Sequence, residues 1–155
     1  MNYYFDTNAL LKYYDVNGNE LGVENVRNLV ESEKQVLISE LTILETISLL
    51  KKKQRTNPNR KKYFRKTIDF ILIDIKSKFI NIPVPEKSFE EAQNILLTYG
   101  DFDVGSLDVL HAAIVNNLRD SVHFVTSDGS GGGRLIGVCK KLQISVYDPE
   151  KNAYV

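Results

Sequence analysis

The sequence predicts an α/β domain built on a mainly parallel sheet of five strands, with helices covering both faces. Three observations predict it. Short apolar runs alternate with segments of helical period along the whole chain, the pattern of strand–helix units in a parallel sheet. All four prolines, at 58, 83, 85 and 149, fall at expected element boundaries. A carboxylate, Asp6, ends the first apolar run just before a helix, where open α/β sheets keep their ligand sites.

Each element has its own basis in the residues. Asn2-Tyr3-Tyr4-Phe5 is a short strand, and Ala9 to Tyr14 is helical. Residues 15–19 form a turn in which Asn19 serves as an N-cap. Residues 20–32 place Val23, Val26, Leu29 and Val30 on one helical face. Residues 35–39 are an apolar strand, and a helix from Glu40 to about Gln54 turns Leu41, Leu44, Ile47 and Leu50 inward. Asn57-Pro58-Asn59 breaks that helix. From Arg60 the period returns, with Phe64, Ile68, Ile71, Leu72 and Ile75 in a stripe.

The second half repeats the alternation. Residues 79–82 are the third strand, and Pro83 and Pro85 bracket its exit into a helix near Glu86 with Phe89, Ala92, Gln93 and Leu96 on one face. Residues 99–105 are loop, and Ser106 caps a helix running to about Leu118. Its inward face carries Leu107, Leu110, His111, Ile114 and Leu118, so His111 reads as a core histidine. Residues 122–126 are the fourth strand, followed by a glycine-rich turn over 129–133. Leu135, Val138, Cys139 and Leu142 mark the last helix, and residues 144–147 the fifth strand.

At 155 residues the chain is expected to be one domain, 1–155, with a full core and no internal repeat. A hydrophobic share of 43% and a charged share of 26% are those of an ordinary globular protein. A lone cysteine, Cys139, excludes an internal disulfide and points to a reducing compartment. The N-terminus lacks the basic region and apolar core of a signal peptide. No apolar run reaches the roughly 18 residues of a membrane span. The expectation is a cytoplasmic protein without a membrane partner.

Net charge is zero, but its distribution is uneven. Residues 51–66, KKKQRTNPNRKKYFRK, hold nine Lys or Arg and no acid, leaving eleven basic against twenty acidic residues elsewhere, a net −9. A strongly basic segment is attached to an acidic body. The break at Pro58 makes it the tip of a helical hairpin. Blocks of like charge are often solvated faces, but here Tyr63 and Phe64 interrupt the charges. Lys51, Lys52, Lys53, Arg55, Arg60, Lys61 and Lys62 are therefore candidate contacts to nucleic-acid phosphates.

Four carboxylates stand at marked places. Asp6 ends the first strand, Glu45 lies in the helix after the second, Asp108 opens a helix, and Asp128 ends the fourth strand. Each has a bland reading. Asp6 can cap a helix, Thr42-x-x-Glu45 fits a capping box, Asp108 suits a helix dipole, and Asp128 suits a turn. Capping does not explain all four together. Hard cations such as Mg²⁺ and Mn²⁺ take oxygen ligands, and a cation keeps clustered carboxylates ionised. Two such metals would activate a water and stabilise the leaving oxygen of a phosphodiester.

The runs Tyr4-Phe5-Asp6-Thr7-Asn8-Ala9-Leu10-Leu11, Ile38-Ser39-Glu40-Leu41-Thr42-Ile43-Leu44-Glu45, Ser106-Leu107-Asp108-Val109-Leu110-His111-Ala112-Ala113 and Phe124-Val125-Thr126-Ser127-Asp128 resemble the PIN-domain nucleases. They are most similar to the VapC-type toxins of toxin–antitoxin pairs. No one motif is specific; four in this order are. The resemblance implies a PIN-like three-layer sandwich with strand order 3-2-1-4-5, and Mg²⁺- or Mn²⁺-dependent cleavage of RNA, tRNA or another structured RNA. It also implies a homodimer and an antitoxin partner. Asp6, Glu45, Asp108 and Asp128 match the family's acidic positions, with Asp6, Asp108 and Asp128 as metal ligands. Thr126 matches its small hydroxyl position, and Asn8 supports the first acid. Two departures stand out: the extra length of the basic hairpin, and the glycine run that replaces direct entry into a helix after Asp128.

Two other classes compete. A phosphatase of the haloacid-dehalogenase type needs a second aspartate where Asn8 stands. A non-catalytic RNA- or partner-binding module has no physical need to keep four acids together. The glycine run fails a dinucleotide fingerprint at Arg134, and no Ser-His-Asp or Cys-His arrangement emerges.

Overall fold

A computed structural model describes residues 1–15, 17–118, 121–127 and 134–155. The strands are β1 (Asn2–Phe5), β2 (Val36–Ser39), β3 (Ile80–Ile82), β4 (Val122–Val125), β5 (Val146–Asp148) and β6 (Ala153–Tyr154). The helices are α1 (Thr7–Tyr13), α2 (Val23–Glu31), α3 (Glu40–Thr56), α4 (Lys61–Asp74), α5 (Lys87–Tyr99), α6 (Ser106–Leu118) and α7 (Arg134–Lys141).

The strands form one sheet in the order β3-β2-β1-β4-β5-β6. The first five are parallel, with Tyr4 opposite Leu37 on one side and Phe124 on the other. The α/β architecture therefore stands, extended by a sixth strand. β6 pairs antiparallel with β5. Asp148 shapes that return: its carboxylate accepts the Glu150 N–H at 3.0 Å and pairs with Lys151 at 3.3 Å. Two residues are too few to show a period of their own.

β1 lies at the centre because its residues are buried on both faces. Tyr4 joins a core with Phe124, Val146 and the apolar sides of α5, α6 and α7. Tyr3 and Phe5 face the opposite way into a core with α1 and α2. From β1 the chain first builds outward through β2 and β3, then returns to its other side as β4. That reversal makes the carboxyl end of β1 the switch point of the sheet, the position at which open α/β sheets hold their ligands. Asp6 follows β1 directly.

Five residues read as inward are exposed: Leu44, Leu72, Phe89, Gln93 and Leu107. In α3 the buried line instead runs through Leu41, Thr42, Thr46, Leu50 and Gln54. Of its polar members, Thr42 donates its Oγ1 to the Phe5 carbonyl at 3.2 Å, and Leu44 lies off this line at the surface. α2 begins at Val23 with Gly22, not Asn19, as its cap. α3 and α4 pack side by side as the expected helical hairpin, around Leu50, Phe64 and Ile71.

Candidate active site

Asp6 occupies the turn between β1 and α1. Its extended backbone ends the strand, and its Oδ1 accepts the Ala9 N–H at 2.7 Å, so it is the N-cap of α1. Capping does not exhaust its role. The side chain is buried, and that burial, reinforced by the nearby Asp108 charge, pushes its carboxyl above the usual range. His111, the Thr126 hydroxyl and the Ala9 N–H pull the other way without prevailing. A carboxylate placed against its own ionisation beside a second acid is a position a cation would relieve.

Asp108 sits in the first turn of α6, half-buried. Its carboxylate lies back over Gly105, where an added Cβ would stand 3.0 Å from Oδ2. Thr126, just past β4, is fully buried and hydrogen-bonds Asp6. The neighbouring Ser127 hydroxyl is buried with no partner among the described residues. Asn8 is exposed on the first turn of α1. Asp128 and the turn over 129–133 lie outside the described residues.

Glu45 is not a capping-box residue. The box that starts α3 is Ser39 with Thr42, three residues earlier than the Thr42-x-x-Glu45 spacing implied. Freed from the cap, Glu45 reaches across to other elements. Its Oε2 accepts the Thr7 hydroxyl at 2.8 Å and lies 2.6 Å from His111 Nε2. Burial opposes its charge, but the bonds from His111 and Thr7 outweigh burial and hold it below its ordinary value. Sequence reasoning missed Thr7 and took His111 for core alone. His111 is indeed buried, but it also stands one turn below Asp108 on the same helix face, at the three-residue spacing that makes helix neighbours.

Asp6 thus feels the charge of Asp108, and Glu45 is tied to the same region through Thr7, which follows Asp6, and His111. Among the described residues no three His, Cys, Asp or Glu side chains are placed to hold a metal ion. The donor chemistry nonetheless fits a hard cation: Mg²⁺ commonly takes one or two carboxylates and completes its shell with water.

The basic residues are exposed at the far end of the hairpin, but not on one face. At 100° per residue, Lys52 continues the Glu45 side of α3, and Lys53 lies about 80° round from it. Lys53 lines a cleft with Arg60, whose guanidinium stacks 4.5 Å from the Tyr63 ring centre. Lys51, Lys61 and Arg65 instead line a separate cleft of about 370 Å³ floored by Gln54 and walled by Ile47 and Ile68. Arg55 adjoins it.

The PIN domain family matches residues 3–129 of the chain. Among solved structures, the fold is similar to the VapBC2 complex of Rickettsia felis bound to a promoter DNA fragment. The TM-score is 0.65 at 15% identity, covering 96% of this chain and 98% of that one. VapBC from Salmonella typhimurium bound to DNA gives a TM-score of 0.63 at 16% identity, covering 96% and 98%. A toxin–antitoxin complex from Klebsiella pneumoniae gives 0.56 at 19% identity, covering 83% and 88%. At these identities the likeness is one of fold. No curated protein matches the chain. With residues 3–129 matched, from the first strand past the end of the fourth, the chain belongs to the PIN domain family.

Proposed function

We propose that the chain is a metal-dependent endoribonuclease and the toxin of a toxin–antitoxin pair. The observation that carries the proposal is the buried Asp6 carboxylate set against the Asp108 charge at the carboxyl end of β1. PIN domains are in general nucleases that use divalent metals. We read residues 1–155 as one PIN-like domain in which the basic hairpin of 51–66 is the RNA-binding projection.

In this reading Asp6 and Asp108, with Asp128, hold Mg²⁺ or Mn²⁺. The ion when bound supplies an activated water and charge stabilisation at the leaving oxygen. The chain's own residues do the rest. Thr126 and the Ala9 N–H hold the Asp6 carboxylate in one orientation. Glu45, kept ionised by its two donors, is the acceptor that orients or deprotonates the attacking water. Asn8 offers an amide to the substrate phosphate. Lys52, Lys53 and Arg60 extend the site along α3 and neutralise flanking phosphates, so RNA approaches the acids without net repulsion. The substrate is RNA, with tRNA or another structured RNA suited to a projecting hairpin.

The Klebsiella pneumoniae neighbour is a toxin–antitoxin complex, and by analogy this chain pairs with an antitoxin, works as a homodimer and acts in the cytoplasm. No helix among the described residues is long and apolar enough to cross a membrane. An inserted arginine is a suitable blocking group, since its forked donors match carboxylates.

The test is expression alone and beside any adjoining small reading frame, together with RNA cleavage by the purified protein in Mg²⁺, Mn²⁺ or EDTA. Wild type should cleave only with metal, and Asp6→Asn and Asp108→Asn should not cleave. Retained cleavage by Asp6→Asn would sink the metal mechanism; a wild type that neither arrests growth nor degrades RNA would sink the toxin. A partner-binding module without catalysis is the second reading. An aromatic-lined cavity of about 390 Å³ between α1, α2 and α4, with Tyr13, Tyr14, Tyr63 and Phe70, favours it. Metal-dependent cleavage separates the two.

A further inference from the structure

One chain of hydrogen bonds runs through the core and ends at the acidic edge. Ser39 Oγ lies 2.8 Å from the Tyr4 hydroxyl, which lies 2.8 Å from His111 Nδ1. On the other side of the ring, His111 Nε2 lies 2.6 Å from Glu45 Oε2. Tyr4 and Ser39 are fully buried and His111 is 2% exposed, whereas the Glu45 side chain is 19% exposed. The chain begins in β1 and β2 and opens outward only at its carboxylate.

Chemistry sets the direction at the outer end of this chain. An ionised carboxylate only accepts, so Nε2 carries the proton toward Glu45. Burial pushes the Tyr4 hydroxyl well above its ordinary value, so it keeps its proton. The hydroxyl bridges Ser39 Oγ and Nδ1 and so holds the ring from behind. Thr7 supplies the second donor to the same Glu45 oxygen, at 2.8 Å. Two donors on Oε2 fix the side chain's rotamer.

We propose that His111 is a positioning residue: held by Tyr4, it aims the Glu45 carboxylate at the reacting water and thereby sets turnover. The inference rests on the nuclease reading above and extends it to two residues, Tyr4 and His111, that touch neither metal nor RNA. Partners that orient functional groups from behind commonly carry a factor of about 10–100 in activity or metal affinity. His111→Leu should therefore lower kcat by about 10–100-fold with KM nearly unchanged. His111→Gln, which retains an N–H donor, should recover part of that loss. Tyr4→Phe should lower kcat less, by roughly 3–10-fold, since it removes only the lock on the ring.

The deciding measurement is a double-mutant cycle on RNA cleavage in Mn²⁺, with thermal melts to confirm folding and calorimetric titration of Mn²⁺ alone. In a Glu45→Gln background, His111→Leu should cost little more, because there is no carboxylate left to aim. Nitrogen NMR of the imidazole should show a protonated Nε2 in wild type and in Tyr4→Phe, with the Nδ1 signal shifted in Tyr4→Phe, where that nitrogen loses its partner. Equal losses from His111→Leu with and without Glu45, or no loss of kcat in a folded His111→Leu, overturn the proposal alone. A wild type that neither cleaves RNA nor binds Mn²⁺ overturns the nuclease reading and this proposal with it.

Discussion

The carboxylate of Asp108 lies so close over Gly105 that a Cβ on that glycine would stand 3.0 Å from Oδ2. The contact is with the far end of a flexible side chain, so the fold can absorb it while the site cannot. Gly105→Ala should leave the melting temperature within about 2–4 °C of wild type, the equivalent of roughly 1 kcal/mol at this size. It should lower cleavage or Mn²⁺ affinity several-fold by turning the Asp108 carboxyl aside. Unchanged kinetics and metal binding would mean that the Asp108 carboxyl is not required in this orientation.

Asp6 and Glu45 titrate in opposite senses, and that predicts opposite effects on stability. Burial and Asp108 raise Asp6 above its unfolded value of 3.8. Its favourable contribution is present below that value and lost as pH rises through the higher folded one. At neutral pH the ionised group is therefore a cost, and Asp6→Asn should melt higher than wild type in EDTA at pH 7. Asn keeps an oxygen for the Ala9 cap. Glu45 is lowered from 4.5, so its contribution is present above that value and fades as pH falls through the lower folded one. Glu45→Gln should accordingly lose stability at pH 7 and converge on wild type in acid. Thermal melts from pH 3 to 7 check both; a less stable Asp6→Asn at pH 7 contradicts the first.

The placement of two acids of the candidate site was legible in the sequence because it is local. A strand-end acid before a helix gives Asp6, and an acid in a first helical turn gives Asp108. The basic hairpin announces itself by charge and by Pro58. What escaped is non-local. The Tyr4–His111 bond joins residues 107 positions apart, and a helical period registers only that His111 is buried, not what it meets. Glu45 was obscured because Thr42-x-x-Glu45 has capping-box spacing, while Ser39 in fact starts α3. Leu44 and Leu72 read as inward by hydrophobic period, whereas the buried lines of α3 and α4 pass through Thr42 and Thr46 and through Thr67 instead. Asp128 lies outside the described residues.

Gly22 is required by its surroundings. It has φ +82°, and an added Cβ would lie 2.8 Å from the Pro149 carbonyl carbon and oxygen. Both atoms are backbone, so neither can swing away. Lys12, buried nearby, pins the same two segments by donating to the Leu21 carbonyl at 2.8 Å and Glu150 at 3.0 Å. Left-handed backbone alone costs about 1–2 kcal/mol for a residue with a Cβ, and the clash adds to it. Gly22→Ala should destabilise by at least about 2 kcal/mol in urea unfolding, with the slope unchanged. A loss under about 0.5 kcal/mol would mean that the 149–150 segment shifts freely.

The hairpin's cations should divide by face in their effect on RNA. Lys52 follows Glu45 by seven residues, two turns or about 10.5 Å along the same side of α3, roughly the spacing of one to two phosphates from the acids. Lys53 is turned about 80° from that line, into the cleft it shares with Arg60, and the two are braced against the Phe64 and Tyr63 rings, which lessens the entropy lost on binding. Lys51, Lys61 and Arg65 face the Gln54 cleft instead, with Arg55 beside it. On the proposed reading, a strand of RNA bound at Asp6 and Asp108 and running along the Glu45 side of α3 would meet Lys52 first, then the cleft of Lys53 and Arg60, and would bypass the Gln54 cleft. Replacing Lys52, Lys53 and Arg60 with Ala should weaken RNA binding and flatten its salt dependence by roughly 0.7–0.9 per lost phosphate contact. It should raise KM with little change in kcat, because uniform binding is removed. Replacing Lys51, Arg55, Lys61 and Arg65 should leave the salt slope of single-stranded RNA within about one contact of wild type. The measurement is fluorescence-anisotropy titration across salt concentrations with the Asp108→Asn variant, so that RNA stays intact. A slope lost in the second set and kept in the first would mean that RNA enters over the Gln54 cleft, on the opposite side of α3 from Glu45.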